Sequence, residues 1–344
     1  MDDLVEILGR ERDLPDEGLR ALLTDPDTTE PLAVAARRVS RAVFGGRVWL
    51  RALIEWSNVC RNDCLYCGIR RSNGRIRRYS LSREEILSCC ERAWSTGLRT
   101  FVLQGGENPA AALRLADTVA AIRSAWPEAA ITLSLGELPR ETLRLLREAG
   151  ADRYLLRHET ATPAHYASLH PAEMRLQTRL DCLQDLRDLG FQTGMGMMVG
   201  SPGQTTEHLI ADIRLMQAFR PEMIGIGPFI PQRDTPFADR APGSAETTLR
   251  LYSILRLIFP SANIPSTTAL STLLPGGRIA GLRAGANVIM PNFTPAPYRE
   301  AYTLYDGKNA PRVESAGQIQ NLLKDLSAAG FEVTSSRGDY KRYV

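Results

Sequence analysis

Three cysteines close together give this chain its clearest capacity for chemistry. Cys60, Cys64 and Cys67 follow the spacing C-x3-C-x2-C, and Tyr66 stands directly before the third cysteine. Three thiolates from one short loop can ligate three of the four irons of a cubane 4Fe–4S cluster, which leaves one iron open to a small molecule. The cysteine run therefore predicts an iron–sulfur centre that binds a further ligand at its open iron.

Other uses of these cysteines have to be weighed against the cluster. A structural zinc site usually combines two short cysteine knuckles, and no second C-x2-C follows this run. A disulfide would leave an odd thiol, and the chain carries no features of secretion into an oxidising compartment. The other cysteines lie in segments of helical period without partner spacing, which favours packing roles for Cys89, Cys90 and Cys182.

Composition and charge exclude several classes of protein. The chain has 344 residues, of which 44% are hydrophobic and 24% charged, as is ordinary for a soluble globular protein. The formal net charge of +3 is too small to indicate nucleic acid or an acidic membrane surface as a partner. The N-terminal stretch is acidic and helical in pattern, unlike a signal peptide, and no apolar run has the length of a membrane span. We expect a cytoplasmic protein that binds neither nucleic acid nor membrane.

The elements that hold the cysteines alternate in type along the chain. After about residue 45, each short apolar run that suits a buried strand is followed by a longer stretch of helical period. The short runs predict strands over 48–55, 100–103, 130–135, 153–157, 192–199, 223–226, 263–268 and 286–290. The longer stretches predict helices over 83–96, 110–125, 140–148, 175–189, 205–219, 245–259 and 276–283. Eight strands alternating with helices predict an α/β fold, a complete (β/α)8 barrel of the TIM type.

Two segments flank the predicted barrel. Residues 1–45 are helical in pattern, and one further helix is predicted over 316–329, ahead of a basic polar end. We therefore divide the chain into an N-terminal helical segment over 1–45, the barrel over 46–305 and a short C-terminal helical extension over 306–344.

Polar residues cluster where the predicted strands end, and in a barrel these ends line one functional mouth. They include 104–108, 134–137, 157–160, 201–205, 267–268 and 290–292. Glu159 follows an apolar strand directly, so we expect its carboxylate at the mouth and the neighbouring His158 in the barrel wall. Gly105 and Gly106 predict either a tight turn or a close approach of the backbone to a bound ligand.

In its motifs the chain resembles the radical S-adenosylmethionine (SAM) enzymes, and within them the HydE family of FeFe-hydrogenase maturases. Biotin synthase and methylornithine synthase are similar at a greater distance. The resemblance extends from about residue 50 to residue 305 and includes the cysteine run. It is carried further by RALIE (51–55), LSLGE (133–137), ADRYLLRHET (151–160), MVG (198–200), GIGPFIP (225–231), TTA (267–269), GANVIMPN (285–292) and YR (298–299). So many motifs in order are more specific than the cysteine run alone.

The resemblance implies positions for cofactors and substrate. A radical SAM barrel would hold one 4Fe–4S cluster on Cys60, Cys64 and Cys67. SAM would lie among Tyr66, Gln104, Ser134, Glu159 and Arg179, where the arginine is available to clamp a carboxylate. The substrate would meet an anion pocket formed by Arg153, Arg157, Thr267 and Thr268, with Tyr302 nearby.

The spacing of the two pocket arginines supports this pocket independently. Arg153 and Arg157 lie four residues apart on a predicted strand, and side chains that alternate with period two then share a face. Their buried charges would need an anionic partner, such as a substrate carboxylate.

The resemblance also implies a function. SAM would be cleaved reductively at the cluster, and the 5′-deoxyadenosyl radical would attack a sulfur-containing, cysteine-derived substrate during maturation of the FeFe-hydrogenase active-site cluster. The expected partners of this oxygen-sensitive enzyme are a small-molecule or small organometallic substrate, an electron donor such as a ferredoxin or flavodoxin, and other hydrogenase maturases. A radical SAM amino-acid mutase of the methylornithine synthase type and a non-catalytic iron–sulfur scaffold remain alternatives.

Two departures from the family pattern bear on this function. Some members carry a second iron–sulfur site on cysteines near the C-terminal end, whereas residues 306–313 contain none, so we predict one cluster. Gly105 and Asn108 stand where compared members have serine and aspartate. These two replacements leave room for an altered substrate specificity.

Overall fold

The strands of the protein, seen in a computed structural model, run parallel to one another. The structure describes residues 2–308 and 316–341. Within them the strands are β1 Arg47–Leu50, β2 Ala52–Ser57, β3 Thr100–Gly105, β4 Ala130–Ser134, β5 Arg153–Leu155, β6 Gln192–Met195, β7 Met198–Val199, β8 Met223–Ile224, β9 Gly227–Pro228, β10 Val288–Ile289 and β11 Glu332–Thr334. Each predicted strand position is therefore occupied by a strand or, for 263–268, by single bridges.

The helices of the described residues lie between these strands. They are α1 Asp2–Glu11, α2 Asp16–Thr24, α3 Thr29–Phe44, α4 Arg83–Ser95, α5 Pro109–Ala125, α6 Arg140–Glu148, α7 Pro163–Leu169, α8 Leu176–Asp188, α9 Thr206–Phe219, α10 Ala245–Ile258, α11 Thr268–Leu273, α12 Gly277–Arg283, α13 Ala296–Arg299 and α14 Ala316–Ala328. The long helices agree with the predicted ranges to within one or two residues. The short helices α7, α11 and α13 were not predicted, because fewer than two turns give no readable period.

Parallel pairing carries the sheet around the barrel. Six strands pair in the order β2-β3-β4-β5-β6-β8, and β10 pairs with β1, which leads into β2. Single parallel bridges continue the pairing between β8 and β2, at Met223–Asn263, Pro265–Val288 and Leu53–Asn292. The strand predicted over 263–268 is reduced to bridges because Pro265 has no N–H to donate to a ladder. The predicted α/β barrel fold is confirmed.

The strands are buried on both faces, as those of a parallel sheet covered by helices must be. Every residue of β2 is buried, including Glu55 in the middle of the strand. Among the described helices, none is both long enough and apolar enough to cross a membrane.

Helix starts at the mouth of the barrel are fixed by side-chain caps. Ser82 and Glu85 form a capping box on α4, in which each side chain accepts a hydrogen bond from the other residue's backbone N–H. Asn108 caps α5, and Thr267 caps α11. These caps set where the loops that lead from the strands into the helices end.

The end of the barrel opposite the mouth is covered by the C-terminal residues of the described chain. Strand β11 pairs with β1, and the residues after it cross this opening. The carbonyl oxygen of Gly338 accepts hydrogen bonds from Arg51 (3.3 Å) and Asn263 (3.2 Å). Asp339 forms an ion pair with Arg153 at 2.6 Å. The floor of the barrel is therefore a polar layer held together by charge.

Candidate active site

A cavity of about 580 Å³ lies inside the barrel, at the carboxyl ends of the strands. The cysteine loop lines one part of it. Strand ends, the segment after α13 and residues of α8, α12 and α14 line other parts. Of the site residues expected from the sequence, the cavity brings together Cys60, Cys64, Cys67, Tyr66, Gln104, Ser134, Glu159, Arg179, Arg157, Thr267, Thr268 and Tyr302. Arg153 is the exception.

The three cysteines of the loop are buried enough to stay neutral thiols while no metal ion is bound. Burial raises the pKa of all three thiols, to about 12 for Cys67. At Cys64 burial is the larger cause, and repulsion from Cys67 raises the pKa further. Thiolates in such a place need a compensating cation, which iron supplies when it displaces the protons. The donor set therefore fits an iron–sulfur cluster.

The ligands of a cubane need not meet the spacing that a single metal ion requires. Among the described residues, no three His, Cys, Asp or Glu side chains stand as close together as ligands of one metal ion do. The cysteines of a cubane bind separate irons, so they need not converge on one point. Cys89, Cys90 and Cys182 are buried in helices away from the cavity, as expected for packing residues.

The end of β3 presses against the cysteine loop. A β-carbon on Gly106 would lie 2.5 Å from the carbonyl oxygen of Val59 and 2.8 Å from the β-carbon of Cys60. Such distances are shorter than real contacts allow, so only glycine permits this approach. Gly106 also donates a backbone hydrogen bond to Ser57 at 3.0 Å. The sequence did not anticipate that Gly106 makes room for the cysteine loop, and the close approach of this backbone to a bound ligand stays a prediction.

The family-pattern replacements at positions 105 and 108 have local structural explanations. A β-carbon on Gly105 would lie 2.3 Å from Nε1 of Trp56, so the glycine makes room for the indole ring. Asn108 caps α5 by accepting a hydrogen bond from the N–H of Ala111 at 3.2 Å, and it does not line the cavity. Asparagine and aspartate cap helices equally well, so the change at 108 has no evident consequence for substrate.

Glu159 offers one free carboxylate oxygen at the mouth. Its backbone is left-handed, with φ of 68°, and its N–H donates to the carbonyl of Gly196 at 3.0 Å. Arg157 donates from Nε to Oε1 of Glu159 at 2.9 Å, whereas Oε2 is buried without a partner among the described residues. An uncommon backbone conformation and an unpaired buried oxygen together mark a ligand-binding position.

His158 faces the barrel wall, as expected. Its Nε2 lies 3.1 Å from Oδ1 of Asp212, and both side chains are fully buried. The same oxygen of Asp212 accepts a hydrogen bond from the N–H of Ala161. The pair therefore holds the loop on either side of Glu159 in place.

Arg179 is tied to the opposite side of the mouth and keeps free donors. Its Nε donates to Glu137 at 2.7 Å, and its Nη1 donates to the carbonyl of Arg157 at 3.0 Å. Glu137 in turn donates its backbone N–H to Glu107, which pairs with Arg61 of the cysteine loop. Nη2 of Arg179 has no protein acceptor within the described part of the chain, which leaves it available to a ligand carboxylate.

Tyr66 is oriented by a histidine that the sequence did not single out. Nδ1 of His170 donates to the carbonyl of Tyr166 at 2.9 Å, so its Nε2 is the acceptor for the Tyr66 hydroxyl at 3.2 Å. Burial, followed by the charge of Arg179, lowers the pKa of His170 to about 4. The imidazole is therefore neutral at physiological pH, as this hydrogen bond requires.

The predicted pairing of Arg153 with Arg157 is wrong. Arg153 is fully buried at the floor of the barrel, where it binds Asp339 and the carbonyl of Arg337. Four residues of extended strand span roughly 13 Å, so two side chains on one face can still lie at opposite ends of the barrel. The charge of Arg153 is matched by Asp339, and of these two arginines only Arg157 lines the cavity.

Sequence reasoning also missed a charged pair in the cavity wall. Lys308 forms a buried ion pair with Glu55. The ammonium group lies 5.0 Å from the centre of the Tyr302 ring, and the Tyr302 hydroxyl accepts a hydrogen bond from Gln104 at 3.3 Å. The signal that could have indicated this pair was Glu55, a carboxylate within the mostly apolar strand β2. Residues 309–313 of the cysteine-free segment 306–313 lie outside the described residues.

A barrel with three cysteines on a loop at its mouth defines the radical SAM class of enzymes, and the family model described as the Radical SAM superfamily matches residues 54–216. The chain is 43% identical to the [FeFe] hydrogenase maturase subunit HydE of Thermotoga maritima, over 99% of this chain and 97% of that protein. It is 30% identical to the 3-methylornithine synthase of Methanosarcina acetivorans, over 93% and 90% of the two chains. The chain therefore belongs to the radical SAM superfamily and, within it, to the family of HydE.

A solved structure agrees with this assignment. The methylornithine synthase PylB superposes with a TM-score of 0.84 and 27% identity, covering 96% of this chain and 97% of that one. The chain is a radical SAM enzyme, and this superfamily works with a 4Fe–4S cluster and SAM.

Proposed function

We propose that this enzyme is a maturase of FeFe-hydrogenase, acting on a sulfur-containing, cysteine-derived substrate during assembly of the hydrogenase active-site cluster. The observation that carries the proposal is the full-length similarity, 43% over 99% of the chain, to a protein with that role. The cavity supports it, because one enclosed space joins the cysteine loop to Arg157, Thr267 and Thr268. An electron donor such as a ferredoxin or flavodoxin and other hydrogenase maturases are the proposed partners, and the cytoplasm is the proposed compartment.

Each set of cavity residues has a separate role in this proposal. Cys60, Cys64 and Cys67 would hold a single cluster, which when bound supplies the electron that cleaves SAM into methionine and a 5′-deoxyadenosyl radical. The free Nη2 of Arg179 would bind the carboxylate of SAM, and the unpaired Oε2 of Glu159 would accept a hydrogen bond from the same ligand. Tyr66, Gln104 and Ser134 would complete the surroundings of SAM.

The proposed substrate end of the cavity includes Arg157 and the hydroxyls of Thr267 and Thr268. Arg157 uses Nε for Glu159, and its Nη atoms have no protein acceptor within the described residues. The guanidinium would pair with an anionic group of the substrate, with Thr267 and Thr268 as hydrogen-bonding neighbours. Arg153 has no part in this pocket.

Apolar residues form part of the cavity wall. They include Leu53, Leu155, Met198, Phe229 and Ile230. Where such residues keep water away from a bound ligand, they protect a reactive intermediate from side reactions. An apolar wall therefore suits a reaction that passes through a carbon radical.

Deletion of the gene from a cell that makes an FeFe-hydrogenase tests the proposal. Hydrogenase activity should be lost, return with the wild-type gene, and fail to return with Cys64→Ala. Cys89→Ala is the matched control, because Cys89 is a buried cysteine of α4 that does not line the cavity, and this variant should restore activity. Full hydrogenase activity in the deletion strain would refute the assignment.

The structural match to methylornithine synthase supports a second candidate, an amino-acid mutase. Anaerobically reconstituted enzyme should be incubated with SAM, dithionite and L-lysine. Formation of 3-methylornithine would favour the mutase, whereas 5′-deoxyadenosine without any change in lysine agrees with the maturase. Absence of 5′-deoxyadenosine under every condition would instead favour a non-catalytic scaffold.

A further inference from the structure

Glu55 and Lys308 form an ion pair in the wall of the cavity that neither the cluster nor the proposed SAM and anion sites use. Glu55 lies in the middle of β2, and Lys308 follows α13 in the segment that covers this side of the cavity. Their side chains are 0% and 8% exposed. Both charges are therefore removed from solvent and face the same enclosed space.

The hydrogen-bonding capacity of this pair is only partly used. An ammonium group has three N–H donors, and Lys308 has one acceptor among the described residues, Oε1 of Glu55. The ring of Tyr302 lies beneath it at 5.0 Å and attracts the charge without accepting a strong hydrogen bond. Oε2 of Glu55 is buried and has no partner within the described residues. Buried ionic groups with unused donors and acceptors are costly unless a ligand completes them.

The unused atoms define the chemistry of the missing partner. A carboxylate oxygen and ammonium N–H donors stand side by side, so the complementary ligand carries an ammonium and a carboxylate on neighbouring atoms. A simple acid would pair with Lys308 but would be repelled by Glu55. A simple amine would pair with Glu55 but would be repelled by Lys308. Because the pair is neutral overall, it selects a ligand group that is neutral overall and carries both charges.

We propose that Glu55 and Lys308 form a subsite for the α-amino-acid group of the substrate, with Glu55 accepting from its ammonium and Lys308 donating to its carboxylate. This inference rests on the proposed function, in which the substrate is derived from cysteine, and it adds a second point of attachment to the one at Arg157. A substrate held at both points would be oriented within the cavity as well as bound.

A titration with three small thioethers tests the subsite. The probes are S-methyl-L-cysteine, 3-(methylthio)propionate, which lacks the ammonium, and 2-(methylthio)ethylamine, which lacks the carboxylate. Each is titrated calorimetrically into anaerobically reconstituted, unreduced enzyme. The wild-type enzyme should bind the amino acid about tenfold to a hundredfold more tightly than either analogue, as expected for loss of one charge-assisted hydrogen bond.

Three variants assign that preference to the pair. Lys308→Met should lose the preference over the amine, and Glu55→Gln should lose the preference over the acid. Each single variant leaves one buried charge unpaired and can lower stability. The double variant E55Q/K308M removes both charges, so its melting temperature should return toward that of the wild type while both preferences stay lost.

Two results would overturn the subsite. One is a wild-type enzyme that binds none of the probes or binds all three equally. The other is a double variant that keeps the preference for the amino acid, which would reduce the pair to an anchor for the segment that carries Lys308. The titration involves neither SAM cleavage nor hydrogenase, so a failed maturation test with an intact amino-acid preference would refute the proposed function alone.

Discussion

The indole ring of Trp56 occupies the space that a side chain at position 105 would need. Nε1 of Trp56 would lie 2.3 Å from a β-carbon on Gly105, and this nitrogen is buried without a hydrogen-bond partner in the described residues. Both residues lie next to the cysteine loop, Trp56 at the end of β2 and Gly105 at the end of β3. The two positions are therefore coupled by volume.

Gly105→Ser should destabilise the protein because the new side chain collides with Trp56. Overpacking of this kind typically costs about 1–3 kcal/mol, and urea denaturation measures it. Trp56→Phe should recover most of the loss when combined with Gly105→Ser, because the smaller ring vacates the space. Gly74→Ser is the control, since a β-carbon there meets no atom within 4 Å. Equal losses with and without Trp56→Phe would show that the two positions are independent.

Replacement of any cluster cysteine should abolish iron binding. Cys60→Ala, Cys64→Ala and Cys67→Ala each remove one of three ligands, and reconstituted wild-type protein should contain about four irons per chain. Iron analysis and absorption spectra of anaerobically prepared protein provide the measurement. Cys182→Ala, a buried helical cysteine outside the cavity, should retain the full iron content. Retention of iron in Cys64→Ala would remove that residue from the ligand set.

Stability should fall between pH 6.5 and pH 4 because of His170. Burial lowers the pKa of this imidazole from 6.5 to about 4, so the unfolded chain takes up a proton in this window while the folded chain does not. The contribution of His170 is therefore complete above the unfolded pKa and is lost as the pH falls toward 4, by about 3 kcal/mol in total. Urea denaturation of cluster-free protein at several pH values should show a steeper decline for the wild type than for His170→Gln. Parallel declines would contradict this assignment.

Asp339→Asn should destabilise the floor of the barrel. The variant leaves the guanidinium of Arg153 buried without its counter-charge, next to Arg51. Removing one partner of a fully buried pair costs about 3–5 kcal/mol, and we expect about 2 kcal/mol because Asp339 is 32% exposed. Denaturation of Asp325→Asn provides the comparison, since that carboxylate lies exposed on α14. A loss no larger than in this control would mean that the ion pair contributes little.

The positions of helices and strands could be predicted from the sequence where a pattern repeats over several turns or strands. Strands β2 to β4 are mostly apolar, and the long helices carry clear periods, so their positions followed directly. The strand predicted over 263–268 is present only as single bridges, because Pro265 cannot donate to a ladder. The cysteine loop was readable because its ligands are neighbours in the chain.

Contacts between distant residues were the part that the sequence could not supply. Arg153 shares a face with Arg157, but it lies at the floor of the barrel. Its partner there is Asp339, which is distant in the sequence. Glu55 and Lys308 are separated by more than 250 positions, and no local pattern connects them. Likewise, the pairing of Tyr66 with His170 depends on the short helix α7, which has no readable period.

Arg153 receives its counter-charge late in synthesis, because its partner Asp339 comes after all the barrel strands in the sequence. Every barrel strand leaves the ribosome before residue 339 does, so a nascent barrel carries two uncompensated arginines, Arg51 and Arg153, at its base. Only the synthesis of the stretch around residue 339 brings a carboxylate to Arg153, so a change that displaces this stretch would leave the base of a completed barrel without it.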